Sequence, residues 1–97
     1  MDSKTYPAQI VFTESDRGHR WVGRLVNRSA IDSQTGKVAS PDAMFLICEN
    51  EETGRCVVTM RGGHRSGTRY ANYASVSEAQ AAGIRWAGRR FRVVVEG

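Results

Sequence analysis

The sequence predicts an α+β domain: a mainly antiparallel sheet of four to five strands with one helix, in the C-terminal half, packed on one face. Three observations predict it. Two pairs of apolar-alternating segments are each joined by turn residues, one capped run with helical period follows them, and a further alternating segment, 91-FRVVVE-96, comes after it. The expected order is strand, strand, long loop, strand, strand, helix, strand, in a single domain over residues 1–97.

The first hairpin is read from Ala8, Ile10 and Phe12, the turn residues 15-SDRG-18, and Trp21, Gly23 and Leu25. A four-residue turn at Ser15–Gly18 pairs Phe12 with Trp21 and gathers Ala8, Ile10, Phe12, Trp21 and Leu25 on one face. The segment 27-NRSAIDSQTGKVASPDA-43 is polar and without period, which predicts a long loop with room for a short strand near Lys37–Ala39. The second hairpin is 44-MFLICENEETGRCVVTM-60. A turn at Glu52–Gly54, with Gly54 left-handed, pairs Cys48 with Val58 and turns Met44, Leu46, Cys48, Cys56, Val58 and Met60 inward. Ser75 and Glu78 form a Ser-x-x-Glu capping box, and Val76, Ala79, Gly83 and Trp86 make an apolar stripe, so a helix is expected at about Val76–Gly88. In the last strand Phe91, Val93 and Val95 are expected inward.

Composition excludes several classes. At 40% hydrophobic and 25% charged residues, the chain has enough apolar surface to fold. The start, MDSKTYPAQ, lacks the apolar run of a signal peptide, and no apolar stretch approaches the ~18 residues of a membrane span, so a cytoplasmic protein without membrane contact is expected. Cys48, Cys56, His19 and His64 are the only cysteines and histidines, and their spacing matches no common zinc motif. Two reduced, buried cysteines and no metal are therefore expected. Neither P-loop nor dinucleotide-binding glycine spacing occurs, so no cofactor is expected. His19 and His64 are the sole candidates for an acid–base pair. With no nucleophile motif beside them, no catalytic residues and no enzymatic activity are expected.

Charge carries the functional signal. Residues 1–60 hold seven Arg and Lys against eight Asp and Glu, a balance of −1. Residues 61–97 hold seven Arg against two Glu, a balance of +5. Such asymmetry points to an acidic partner. The stretch 60-MRGGHRSGTRYANY-73 reads as an exposed basic loop. In it Arg61, Arg65 and Arg69 suit bidentate phosphate contacts, and Tyr70 and Tyr73 offer stacking faces. Arg85, Arg89 and Arg92, beside the core anchors Trp86 and Phe91, extend the basic set. The plain alternative is a solvated connection, with arginine use reflecting genome composition. The expectation is a small basic binding module that holds a polyanion such as nucleic acid through these eight residues. The alternative is a protein-interaction module, adaptor or small inhibitor, docking on an acidic protein surface. The salt dependence of binding to random-sequence oligonucleotides discriminates the two, and the most informative observation is whether the C-terminal arginines cluster or scatter on the folded surface.

Overall fold

The computed structural model describes the backbone of residues 3–15, 19–62 and 67–96, and all of their side chains except those of 3, 67–72 and 96. The described elements are β1 (Ser3–Pro7), β2 (Ile10–Ser15), β3 (Arg20–Leu25), β4 (Ile31–Asp32), β5 (Met44–Glu49), β6 (Cys56–Arg61), β7 (Gly67–Tyr73), α1 (Val76–Arg90) and β8 (Phe91–Glu96). They make an α+β fold in which α1 packs on a five-stranded antiparallel sheet ordered β2-β3-β5-β6-β7. A second, three-stranded sheet is ordered β1-β8-β4.

The α+β class and the single helix match the expectation, and the strand inventory extends it. β1 was not foreseen. Its sequence, SKTYP, is polar and holds a proline, and its partner β8 lies at the other end of the chain (Tyr6 faces Val93), so nothing local marks it as a strand. Within the expected loop 27–43, Ile31 and Asp32 pair with Arg92 and Phe91, and Ile31 bridges to Val38. The stretch expected as a basic loop is largely strand: β6 runs to Arg61, and β7 begins at Gly67.

Both hairpin registers differ from expectation, with unequal consequences. In the first, Phe12 faces Gly23 and Glu14 faces Trp21, a slip of two residues that leaves every side chain on its expected face. The cause is steric. A Cβ at position 23 would lie 2.7 Å from Cε1 of Phe12, so the ring needs a glycine opposite it. In the second hairpin Phe45 faces Met60, Ile47 faces Val58 and Glu49 faces Cys56, a slip of one residue, which turns β5 over. Asn50 sets this register. Its Oδ1 accepts from the amides of Glu52 and Thr53, and its carbonyl accepts from Gly54, which takes φ +71° to close a four-residue loop. Phe45 and Ile47 therefore point inward. Cys48 is exposed and Cys56 buried, both as free thiols, which corrects the expectation that both face the core.

Helix α1 starts as the capping box predicts. Ser75 Oγ accepts from the Glu78 amide at 3.2 Å, while Glu78 Oε2 reaches one residue further back than expected, to the Ala74 amide at 2.9 Å. The helix does not stop at Gly88 but runs to Arg90 and enters β8 directly, with Phe91 as its C-cap. Gly88 serves packing instead, since a Cβ there would sit 3.1 Å from Cβ of Pro7 in β1. On the other side Gly83 lies against Phe12 and Val58, and Ala79 and Ala87 are fully buried. These small residues let α1 lie close between the two sheets.

The core centres on Phe45. Its ring meets Trp86 edge-on at 5.4 Å between centroids and Phe91 at 6.1 Å, joining β5, α1 and β8. One charged pair is buried against Phe91, with Arg90 Cζ 5.8 Å from the ring centroid. Arg90 donates through Nε to Asp32 Oδ1 at 2.8 Å and through Nη2 to Asp32 Oδ2 at 3.1 Å. Asp32 Oδ1 also accepts from the Gln34 amide. Arg90 is thus the bolt between α1 and β4.

Two stability predictions follow from these contacts. Trp86→Ala removes a buried ring that stacks edge-on against Phe45, and we expect a loss of ~3–5 kcal/mol by urea denaturation. Asp32→Ala strands a buried guanidinium and should cost a similar ~3–5 kcal/mol. A double Asp32→Leu, Arg90→Met chain should regain most of it, because no charge is then left unpaired.

Candidate interaction surface

The arginines expected to act together fall on different surfaces. Arg61 ends β6 on the sheet face turned away from α1. Its neighbours Cys56, Val58 and Met60 alternate with it and are buried toward the helix. Arg85 and Arg89 lie one turn apart on the outer side of α1 and are exposed. The sheet and helix therefore separate Arg61 from Arg85 and Arg89. Arg92 is half-buried and engaged, donating to the Gly88 carbonyl at 3.4 Å and to the carbonyl and hydroxyl of Thr5 at 3.3 Å each. It ties the end of α1 to β1. Arg65 lies outside the described residues. Arg69 and Tyr70 are in β7, with Arg69 opposite Val58. Tyr73, opposite Cys56, is half-buried and packs against the core.

The histidines do not form a pair in the described structure. His64 lies outside it. His19 has Nε2 3.3 Å from Glu51 Oε1, while its Nδ1 is buried without a hydrogen bond and stands 3.9 Å from Glu49 Oε1. Among the described residues, no three His, Cys, Asp or Glu side chains are grouped to hold a metal, and no helix is long and apolar enough to cross a membrane.

What the fold does assemble is the sheet face opposite α1. Cross-strand register arranges it in three rows. A central row runs Thr13, Val22, Leu46, Thr59. One flanking row runs Ser15, Arg20, Cys48, Val57, and the other runs Val11, Arg24, Met44, Arg61. Val22, Met44, Leu46, Val57 and Thr59 are half-buried, while Val11, Arg20, Arg24, Cys48 and Arg61 are exposed. No described element packs on this face. An aliphatic centre thus carries arginines on both sides and no carboxylate at any of these strand positions. Arg24 and Arg61 stand two strand spacings apart, ~10 Å, and Arg20 lies four residues along β3 from Arg24, ~13 Å.

Sequence reasoning overlooked Arg20 and Arg24 because they belong to the half of the chain with balanced charge. The signal was present in the alternation Arg20, Val22, Arg24. It became a patch only with the correct β5 register, which brings Met44 and Leu46 to the same face. No protein-family model, curated protein or solved structure matches the chain.

The two cysteines differ in exposure. Burial first, and then the nearby Glu49 carboxylate, raise the pKa of the Cys56 thiol above its ordinary value. Cys48 stands on the open face. We expect iodoacetamide to label Cys48 in the folded protein and Cys56 only after unfolding, as read by peptide mass mapping.

Proposed function

We propose that the protein is a small non-enzymatic binding module that docks an acidic protein partner on the open face of its five-stranded sheet. The observation that carries this reading is the aliphatic centre of Val22, Met44, Leu46 and Val57 flanked by Arg20, Arg24 and Arg61, with no acidic residue among the strand positions of that face. Apolar contact supplies affinity at the centre of such a patch, and the rim of guanidiniums selects carboxylates and speeds encounter. Pairing with a second copy of the same face would set arginines against arginines. An amphipathic acidic helix, ~10–12 Å across, matches the spacing between the arginine rows.

A second reading is nucleic acid bound by Arg85 and Arg89 on the outer side of α1. Its support is the exposure of the two helix arginines and the +5 balance of residues 61–97.

One set of titrations separates the two. The probe for the first is an N-acetylated, C-amidated amphipathic peptide of Leu and Glu; for the second it is a random-sequence oligonucleotide. Arg24→Glu with Arg61→Glu should weaken the peptide more than tenfold at unchanged thermal stability. Leu46→Asp should do the same without changing net charge at the rim. If the peptide does not bind, or binds equally well after charge reversal, the docking reading fails. Oligonucleotide binding whose log–log salt slope falls by about one unit per arginine removed at positions 85 and 89 would put the second reading in its place.

A further inference from the structure

A pocket of about 60 Å³ opens at the corner of the open face, where β3 ends and β5 begins. Arg24, Arg28 and Ser40 supply its polar lining, and Leu25, Ala39 and Ala43 supply apolar walls. One water needs ~10–15 Å³ of such space in a cavity, so the pocket has room for several waters and for a carboxylate group.

The walls are held in place by the backbone. Ala39 donates to the Ala30 carbonyl at 2.8 Å, and Ala43 donates to the Ser40 carbonyl at 3.0 Å, closing a turn around Pro41. Gly62, at φ +94°, presses on that turn. A Cβ there would lie 2.5 Å from the Asp42 carbonyl oxygen, so the approach is open only to glycine. Asn27 Oδ1 accepts from both the amide and hydroxyl of Ser29, shaping the turn that carries Arg28. The polar groups of the lining have donors to spare. Ser40 Oγ accepts from the Asp42 amide at 3.3 Å, which leaves its O–H proton to donate. Neither Arg24 nor Arg28 has a carboxylate partner among the described residues.

We propose that this pocket is a carboxylate-binding site, filled by an acidic side chain of the partner docked on the open face. The choice of occupant rests on the docking reading above; the chemistry of the pocket does not. Arg24 belongs to both, since it stands in a flanking row of the face and lines the pocket, so a carboxylate seated there continues the docked surface. Two guanidiniums and a hydroxyl give up to three charge-assisted hydrogen bonds against apolar walls that exclude water from one side. The pocket would then set the position of the partner along the face, which the aliphatic centre alone does not.

The test is an NMR titration of the full chain, following the Ser40 amide and the Arg24 and Arg28 Nε–H signals. Sodium acetate probes the pocket without a partner, against sodium chloride at equal ionic strength. The acidic peptide probes both surfaces. We expect acetate to shift all three signals and chloride not to. Arg28→Gln, on an exposed side chain, should abolish the acetate response, keep the melting temperature, and weaken the peptide about fivefold or more. Arg28→Lys should restore part of it. Equal responses to acetate and chloride overturn the proposal. So does a peptide that shifts Val22, Leu46 and Thr59 but leaves Ser40 and Arg28 unmoved, in which case the docking reading stands alone. A response to acetate with no response to the peptide keeps the carboxylate site and removes the docking reading.

Discussion

The structure depends on the ring of Phe45. It is fully buried, it sits in the middle strand of the larger sheet, and it touches Trp86 of the helix and Phe91 of the smaller sheet edge-on. The contiguous α1 and β8 converge on a side chain about forty residues away in the chain, and in each pair the positive edge of one ring meets the electron-rich face of the other. The small residues of α1 follow from this. Trp86 reaches Phe45 only because Ala79, Gly83 and Ala87 let the helix axis approach the sheet. The open face follows too. With Phe12, Trp21 and Phe45 turned to the helix side, the strands β2, β3, β5 and β6 leave aliphatic and guanidinium groups of moderate bulk on the other.

That division explains why the arginines distribute as they do. The C-terminal arginines with described side chains form no single patch. Arg90 neutralises Asp32 inside the protein, Arg92 ties the helix end to Thr5, and Arg85 and Arg89 face solvent on the helix. Arg61 joins Arg20 and Arg24 across the sheet. Charge counted along the chain is thus a poor guide to charge gathered in space, because strand pairing joins residues forty positions apart and a helix between two sheets divides neighbours.

Legibility in the sequence followed the range of the forces involved. The helix was readable almost to the residue at its start, because Ser75 and Glu78 act on amides within one turn. Its end was not, because Gly88 resembles a stop signal while its true role is contact with Pro7, far away in the chain. The faces of the first hairpin were readable from alternation, although Phe12 and Gly23 moved the pairing by two. The second hairpin turned on Asn50, whose side chain lengthens the loop by one residue and inverts β5. Leu46 and Ile47 are equally apolar, so hydropathy alone did not distinguish the inward residue. Of the candidate surface, Arg61 was identified in advance. Arg20, Arg24 and Arg28 were not, since nothing local distinguishes them from solvated arginines.

The direct passage of α1 into β8 has a kinetic consequence. A helix normally finds partners for its last carbonyls within a few residues, by a glycine turn. Here the Arg90 carbonyl accepts from the Ser33 amide at 2.7 Å, and the Arg89 carbonyl from the Ser33 hydroxyl at 3.3 Å, across more than fifty residues of chain. The end of the helix is therefore completed by a segment that must arrive from elsewhere. Helix growth from Ser75 is local and fast, whereas its termination waits on closure of a long loop. Residues 31–36 then act as a late-docking latch, and substitutions there would slow the final approach to the native state more than they alter its early helix content.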